Sequence, residues 1–247
     1  MSELAWNQTS ALLEPTVRTL AIDIGGTSLK AAVVSASGAV LGVKVRVATP
    51  VGAHPDRVVA ELVELVAPLP DHDRVAIGFP GMVRDGRVLT APNLKHEAWA
   101  GYPLEIELGR RLDKPARLCN DADMQGLAVV GGKGVEMVIT LGTGFGTALY
   151  EDGEPVTHLE IAHLPFRHGE TFDEQLGERA RNAIGTKRWN KRLRKAIALL
   201  RVLTQFDHLY VGGGNSRRVR QELPHDVTLV DNAAGIAGGA RLWRRGV

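Results

Sequence analysis

Two apolar strands folded back on a glycine turn occur twice in this chain, and that repetition constrains its fold more than any other feature. Thr19 to Ile24 has the pattern of a buried strand, Gly25-Gly26-Thr27 turns it, and Leu29 to Ala36 returns as a second strand. The unit comes again as Val135 to Leu141, Gly142-Thr143-Gly144, and Phe145 to Tyr150. Behind the first hairpin stand a strand at Val40 to Val47, a helix at about Pro55 to Ala67 and a strand at Arg74 to Phe79. In that helix Val58, Val59, Leu62, Val63 and Val66 share one face, and Pro55 suits the first turn. Behind the second hairpin the pattern predicts helices at 171–183 and 187–204, a strand at Asp207 to Val211 and a last helix at 232–245. A β-β-β-α-β order met twice predicts two α/β lobes, each opening on a glycine-tipped hairpin, with one doubly wound sheet as the alternative.

Composition narrows the class of molecule. Glycine supplies 28 of 247 residues, well above the usual ~7%, so tight turns or close backbone approaches are needed. With 44% apolar and 23% charged residues the chain is neither disordered nor fibrous, and its length buries a core without staples. A formal charge of +2 excludes a nucleic-acid or membrane polycation. The single cysteine, Cys119, excludes a disulfide framework or a multi-cysteine zinc site and fits a reducing cytoplasm. Met1 to Arg18 carries Glu3 and Glu14 without an apolar run, so a signal peptide is not expected there. The uncharged stretch Met137 to Tyr150 is too short and too rich in Gly and Thr to span a bilayer. The expectation is a soluble cytoplasmic protein.

Chemistry concentrates at the turns. Gly25 and Gly26 permit positive φ and bring backbone N–H groups close to an anion, while Thr27 and Lys30 add a hydroxyl and a cation. Asp23, at a strand end, suits a hydrated Mg²⁺, which keeps waters and needs one or two carboxylates; an ordinary hairpin capped by an Asp is the plainer alternative. Gly142, Thr143 and Gly144 form the equivalent turn of the second lobe, and Gly212, Gly213, Gly214 and Asn215 link a strand to a helix where a flat or anionic group can approach bare backbone. There is no Walker A string and no Gly-x-Gly-x-x-Gly after a first strand. Asn120 and Asp123 fit the cap and capping-box acid of a helix that follows the strand Ala116 to Cys119, which leaves Asp121 unexplained by capping. Glu160 and His163, three apart, read as a metal fragment, a surface pair or two groups for vicinal hydroxyls; metal is discounted for want of further ligands nearby. Asn93 reads as a turn residue when taken alone.

Taken together these strings resemble the ROK family of sugar kinases within the actin-like ATPase (ribonuclease H-like) fold, particularly its polyphosphate glucokinase branch. The resemblance is carried by Asp23 to Lys30, Gly78 to Gly81, Thr90 to Leu94 with Trp99 and Gly101, Asn120 to Gly126, Thr140 to Thr147, Glu160 to His163, Val211 to Asn215 and Asn232 to Gly239, across about 18 to 245. It implies pseudo-repeated β-β-β-α-β-α halves: an N-terminal lobe over 1–119, joined by the C-terminal helix at 232–247, and a C-terminal lobe over 120–231. It implies Asp121 as general base, Asn93, Asn120, Glu160, His163 and Gly81 on the sugar side, and the two hairpins on the donor phosphates. Gly212 to Asn215 would form an adenosine-side loop, and Mg²⁺ would sit near Asp23 and Asp121 through water. The implied activity is phosphoryl transfer from ATP or polyphosphate to a hexose, glucose at its 6-hydroxyl first, by a homodimer.

Two departures follow. Most of the family builds a zinc site from this Glu/His region and a cysteine cluster, but Leu164 to Gly177 has no cysteine, so no zinc is expected; Ala162 replaces the usual glycine before the histidine. The family's repressors carry a helix-turn-helix ahead of the core, and with about eighteen residues before Thr19 a repressor is not expected. The alternatives are an ATP-dependent kinase for mannose or an N-acetylated sugar, and a non-catalytic sugar or polyphosphate sensor, against which Asp121 argues.

Between Arg179 and Arg201 the chain carries Arg181, Lys187, Arg188, Lys191, Arg192, Arg194 and Lys195 without one acid. The plain reading is a solvated helix face and the sharper one a polyanion track; with Trp189 the only tryptophan there, polyphosphate fits better than nucleic acid. Gly235, Gly238 and Gly239 in the last helix predict close packing against another element, and Trp243 is its expected anchor.

Overall fold

A computed structural model describes residues 17–50, 52, 54–94, 96–220, 222–230 and 234–243. The first sheet is built from β1 (Thr19–Ile24), β2 (Ser28–Val34), β3 (Val40–Ala48) and β4 (Arg74–Phe79), with α1 (Pro55–Val66) between the last two. A small ribbon, β5 (Val83–Arg84) and β6 (Arg87–Val88), leads into α2 (Leu104–Leu112), β7 (Ala116–Asn120) and α3 (Asp121–Leu127). The second sheet begins with β8 (Val135–Leu141), β9 (Phe145–Glu151) and β10 (Glu154–Pro155), followed by the ribbon β11 (Pro165–Arg167) and β12 (Glu170–Thr171). Three helices, α4 (Phe172–Leu176), α5 (Glu178–Ile184) and α6 (Thr186–Thr204), precede β13 (His208–Gly212), β14 (Val227–Leu229) and α7 (Ala234–Arg241).

The strand orders are β3-β2-β1-β4-β7 and β10-β9-β8-β13-β14, so each hairpin holds the same place in its own five-stranded sheet. In both, the hairpin strands pair antiparallel and the next strand joins parallel beside the first, β4 on β1 and β13 on β8. The duplicated order answers the opening expectation, and the single doubly wound sheet is excluded. Burial explains the sequence pattern: every residue of β1 is buried, as a central strand covered on both faces requires, whereas β3 at the edge is largely exposed.

One core packs Leu20, Ile22 and Ile77 against Val58, Val59 and Leu62 of α1, and another packs Met137, Ile139 and Leu209 against Trp189, Leu193 and Ile197 of α6. A third, with Ala76, Ala122, Met124, Val138 and Tyr150, gathers around α3 between the sheets. Helix α7 lies across β1, β2 and β4 and against α3. Its glycines are the means: a β-carbon on Gly238 would overlap the Met124 carbonyl oxygen, one on Gly239 would come within 2.8 Å of Ala21 Cβ, and one on Gly235 within 3.1 Å of Gln125 Cγ. Trp243 Nε1 donates to the Val75 carbonyl at 3.3 Å, with Arg74 and Arg117 over its ring. Residues 232, 233, 244 and 245 of the expected helix lie outside the described residues.

Several elements differ from expectation. The helix expected at 171–183 is two, because Gly177 is extended (φ −62°, ψ 169°), and this turns the Glu178 amide onto the carbonyls of Gly142 and Thr143 at 3.0 and 3.2 Å. The strand expected from Asp207 begins at His208, since the Asp207 carboxylate instead accepts from the Val135 amide at 2.8 Å. Helix α2 and the short strands escaped the sequence pattern. No described helix is long and apolar enough to cross a membrane.

Candidate active site

A cleft of about 490 Å³ opens where the two glycine turns, the start of α3 and the segment after β10 converge. From the first turn it is lined by Asp23, Gly25, Gly26, Thr27 and Lys30, and from the second by Gly142, Thr143 and Gly144. Gly81, Asn93, Asn120, Asp121, Glu160, His163, Gly213, Gly214 and Asn215 complete the expected set. Gly212 does not: it is the last residue of β13 and faces Val230 rather than the cleft, because the strand runs one residue further than its apolar pattern.

The turns are held by their carbonyls. Thr49 Oγ1 donates to Gly25 O at 2.6 Å, and Asn215 Nδ2 donates to Gly142 O at 3.0 Å. Among the described residues, the amides of Gly26, Thr27, Thr143 and Gly144 have no acceptor, so each turn presents free N–H groups beside the cleft. The positive φ that Gly25 and Gly26 permit is not used, and neither Gly142 nor Gly144 adopts it; Gly26 and Gly144 are required for space. A β-carbon on Gly26 would come within 2.9 Å of Asn93 Cβ, and one on Gly144 would overlap Asp173 Oδ1, the acceptor for Phe145 N at 2.7 Å. Gly213 alone in these turns needs the left-handed region, with φ +85° and a β-carbon position already filled by Leu141 backbone.

Asn120 caps α3, its Oδ1 accepting from the amides of Ala122 at 2.7 Å and Asp123 at 3.4 Å, while its Nδ2 donates to Gly81 O at 3.1 Å. It therefore ties β7, α3 and the Pro80-Gly81 turn together. Asp121 follows, half-buried at the cleft floor, with Oδ1 accepting from the Ala122 amide at 2.8 Å. Burial pushes its carboxyl up to about 7, the charge of Asp23 adds to this, the Ala122 N–H opposes it, and Asp123 and Glu160 raise it further. Asp23 is paired with Lys30 Nζ at 2.9 Å.

Asp123 makes no capping box. Its Oδ1 lies 3.0 Å from Nδ1 of His158, a cleft residue without a spacing signal in the sequence. Burial lowers the His158 pKa, but hydrogen bonding to Asp123 and the neighbouring Glu160 outweigh it and lift the imidazole to about 10, so His158 is a cation at neutral pH. Glu160 lies between two imidazoles, Oε1 3.7 Å from His158 Nε2 and Oε2 3.8 Å from His163 Nε2. Both distances exceed hydrogen-bond range, and Oε1 is buried without a hydrogen-bond partner. Ala162 fits because Ile161–His163 is a single 3₁₀ turn without positive φ. Gln125, Thr140 and Thr147, from the strings that carry the resemblance, also line the cleft, as do Arg181 of the basic run and Asp173, Glu178 and Arg218, which no string singles out. Of the acid-free run only Arg181 reaches it; Arg201 pairs bidentately with Asp226, Arg192 donates to Gln175 O at 3.4 Å, and Lys195 sits over the Phe166 ring.

The ROK family model matches residues 19–170. The chain belongs to the ROK family. It is 31% identical to the inorganic polyphosphate/ATP-glucomannokinase of Arthrobacter sp. strain KM, whose crystal structure superposes with a TM-score of 0.81 over 92% of this chain and 98% of that one. It is 28% identical to a polyphosphate glucokinase of Mycobacterium tuberculosis over 240 residues, 89% of this chain and 88% of the relative. An N-acetylmannosamine kinase of Escherichia coli O157:H7 is 36% identical over 144 residues, 56% of this chain and 49% of its own. The fold is therefore the actin-like ATPase fold that the ROK resemblance implies, with its halves repeated as described.

Proposed function

We propose that this ROK protein is a hexose kinase that transfers a phosphoryl group from polyphosphate or ATP to a sugar, glucose at its 6-hydroxyl first. The observation that carries this reading is Asp121: a carboxyl with its pKa raised to about 7, at the floor of a cleft whose two glycine turns present free amides. A base poised near the working pH suits proton removal from a hydroxyl. The kinase relatives of matching length support the same reading.

The sugar end is Asn93, Asn120, Gly81, Glu160 and His163. Glu160 Oε1, buried and without a hydrogen bond, is an acceptor that a sugar hydroxyl completes. Positioned by these groups, the reacting hydroxyl gives its proton to Asp121 as the donor phosphoryl is presented from the turns. A loose transition state asks for alignment and charge neutralisation more than covalent chemistry, and Gly26, Thr27, Thr143, Gly144 and Lys30 supply donors for its oxygens. Approach of the lobes, 1–119 with α7 and 120–231, would exclude water as a competing acceptor.

Mg²⁺ fits this donor set. No group of three or more His, Cys, Asp or Glu side chains cages a metal among the described residues, but Mg²⁺ needs one or two carboxylates and retains its water. The upward pull of Asp23 on Asp121 marks a site of concentrated negative charge that a cation relieves. Asp23 and Asp121 would hold the ion through water, and it would neutralise charge on the donor oxygens.

The implied homodimer has an apolar face in Leu199, Val202 and Leu203, exposed towards the end of α6; sedimentation equilibrium tests it. The N-acetylmannosamine kinase match favours a second reading, ATP-dependent phosphorylation of another hexose. Assaying the purified protein against glucose, mannose and N-acetylmannosamine, each with ATP and with polyphosphate, decides between them. Turnover of no sugar with either donor would leave a non-catalytic sensor.

A further inference from the structure

We propose that Arg181 and Arg218 form an anion subsite at the donor end of the cleft, one that grips the phosphates behind the transferred one and so selects a bare oligophosphate chain over a nucleotide. The inference rests on the kinase reading above and names its donor.

Both side chains line the cleft, and both are brought to the second glycine turn by hydrogen bonds of its own backbone. Helix α5 starts where the Glu178 amide donates to Gly142 O at 3.0 Å and Thr143 O at 3.2 Å, and Arg181 stands one turn further along. Arg218 closes a 3₁₀ turn, its amide donating to Asn215 O at 2.8 Å. Asn215 is itself fixed to the turn, its amide on Leu141 O at 2.8 Å and its Nδ2 on Gly142 O at 3.0 Å. The loop is tied from behind, since Asn190 Nδ2 donates to Arg218 O at 3.1 Å. Two arginines from different elements, both tied by backbone to the second turn, thus line the same cleft as Thr143 and Gly144.

Their hydrogen bonding is incomplete. The Arg181 side chain is 15% exposed, its Nη2 meets Glu178 Oε1 at 3.3 Å, and its Nε is buried with no partner. A buried guanidinium donor without an acceptor is costly unless something anionic completes it. The Arg218 guanidinium is exposed to the cleft and has no partner among the described residues. Guanidinium forks match phosphate oxygens in geometry as well as charge. The same end offers little to a base: among the described residues the one phenyl ring lining the cleft is Phe145, 3% exposed and stacked on Phe172. A chain of phosphates satisfies both arginines, whereas an adenosine would leave at least one without its anion.

Calorimetric titration with inorganic tripolyphosphate and with ATP, on wild type, Arg181→Gln, Arg218→Gln and Arg181→Lys, tests this without requiring turnover. The expected result is a loss of ~10-fold or more in tripolyphosphate affinity for each glutamine variant, a smaller loss for the lysine variant, and a change of less than about 3-fold for ATP. Circular dichroism confirms that each variant is folded. Unchanged tripolyphosphate affinity, equal losses for both donors, or no tripolyphosphate binding by the wild type overturns the subsite. Failure of the kinase reading shows separately, as absence of sugar phosphorylation by a wild type that still binds tripolyphosphate.

Discussion

Replacing Asp121 with asparagine should stabilise this protein above neutral pH while removing its activity. The Asp121 carboxyl rises from an ordinary 3.8 to about 7, first through burial and then through the charge of Asp23. A group that binds its proton more tightly when folded costs the folded state stability as pH rises from about 4 to about 7, and the loss is complete above that range. At ~1.4 kcal/mol for each tenfold gain in proton affinity, a rise of that size sets an upper bound of about 4 kcal/mol; solvent in the open cleft screens part of the charge, and about 2 kcal/mol is a reasonable floor. Asparagine keeps the shape without the charge. Urea unfolding of both proteins at pH 5 and pH 8 should therefore show the variant ahead by ~2–4 kcal/mol at pH 8 and by only ~1.5 kcal/mol at pH 5. In the same preparations hexose phosphorylation should fall by ~10²–10⁴-fold, and the wild-type kcat/KM should decline as pH falls through about 7. A stability difference that is the same at both pH values, or a variant turning over within about ten-fold of wild type, would refute the assignment of a strained base.

Glu160→Gln should weaken hexose binding by ~10–100-fold in calorimetry, because it alters the one buried, unpartnered acceptor that the described cleft residues offer a hydroxyl; unchanged affinity moves the sugar elsewhere. His158, lifted from 6.5 to about 10 chiefly by Asp123 and Glu160 against the opposing effect of burial, contributes stability that is complete below pH 6.5 and lost as pH rises towards 10. His158→Asn should abolish that alkaline decline in denaturant melts, and parallel curves between about pH 7 and 10 would count against the charged imidazole. Gly238→Ala forces a methyl group into the Met124 carbonyl and should cost ~1–3 kcal/mol or more in thermal unfolding, whereas Gly214→Ala, with nothing within 4 Å, should melt like wild type. Charge reversal at Lys187, Arg188 and Lys191, exposed on α6 and outside the cleft, should raise KM for long polyphosphate and its salt dependence while sparing tripolyphosphate. Equal effects on both chain lengths would return these residues to an ordinary solvated face.

What the sequence revealed depended on whether a residue's role is set by its neighbours in the chain. Both hairpins were legible because apolar strands and glycine turns are local patterns, and Asn120 and Asp121 were legible because a strand end followed by a helix start puts a cap and then an acid in order. For Gly26 and Gly144 part of the reason was hidden: Asn93 and Asp173, distant in sequence, occupy the space a side chain would need, and no local pattern shows that. His158 escaped altogether, since only the approach of Asp123, 35 positions away, gives it a partner and a charge. Arg181 was visible as one charge among many; its separation from Arg192, Lys195 and Arg201 appears only when α5 and α6 part at Gly185 (φ +78°).

On the proposed reading, the distribution of charge in the cleft would sort the two substrates before any chemistry occurs. Burial, helped by the charges of Asp23, Asp123 and Glu160, holds Asp121 near 7, and Lys30 and His158 are already engaged by Asp23 and Asp123. A polyanion entering that end meets carboxylates, but a neutral polyol meets acceptors that want donors, such as Glu160 Oε1. Around the second turn the free amides of Thr143 and Gly144, with Arg181 and Arg218, offer the reverse: donors that want an anion. On the proposed reading, where the ends meet a terminal phosphoryl drawn towards the turns would face a hydroxyl drawn towards Asp121, and the field would align the transfer that the proposed base completes.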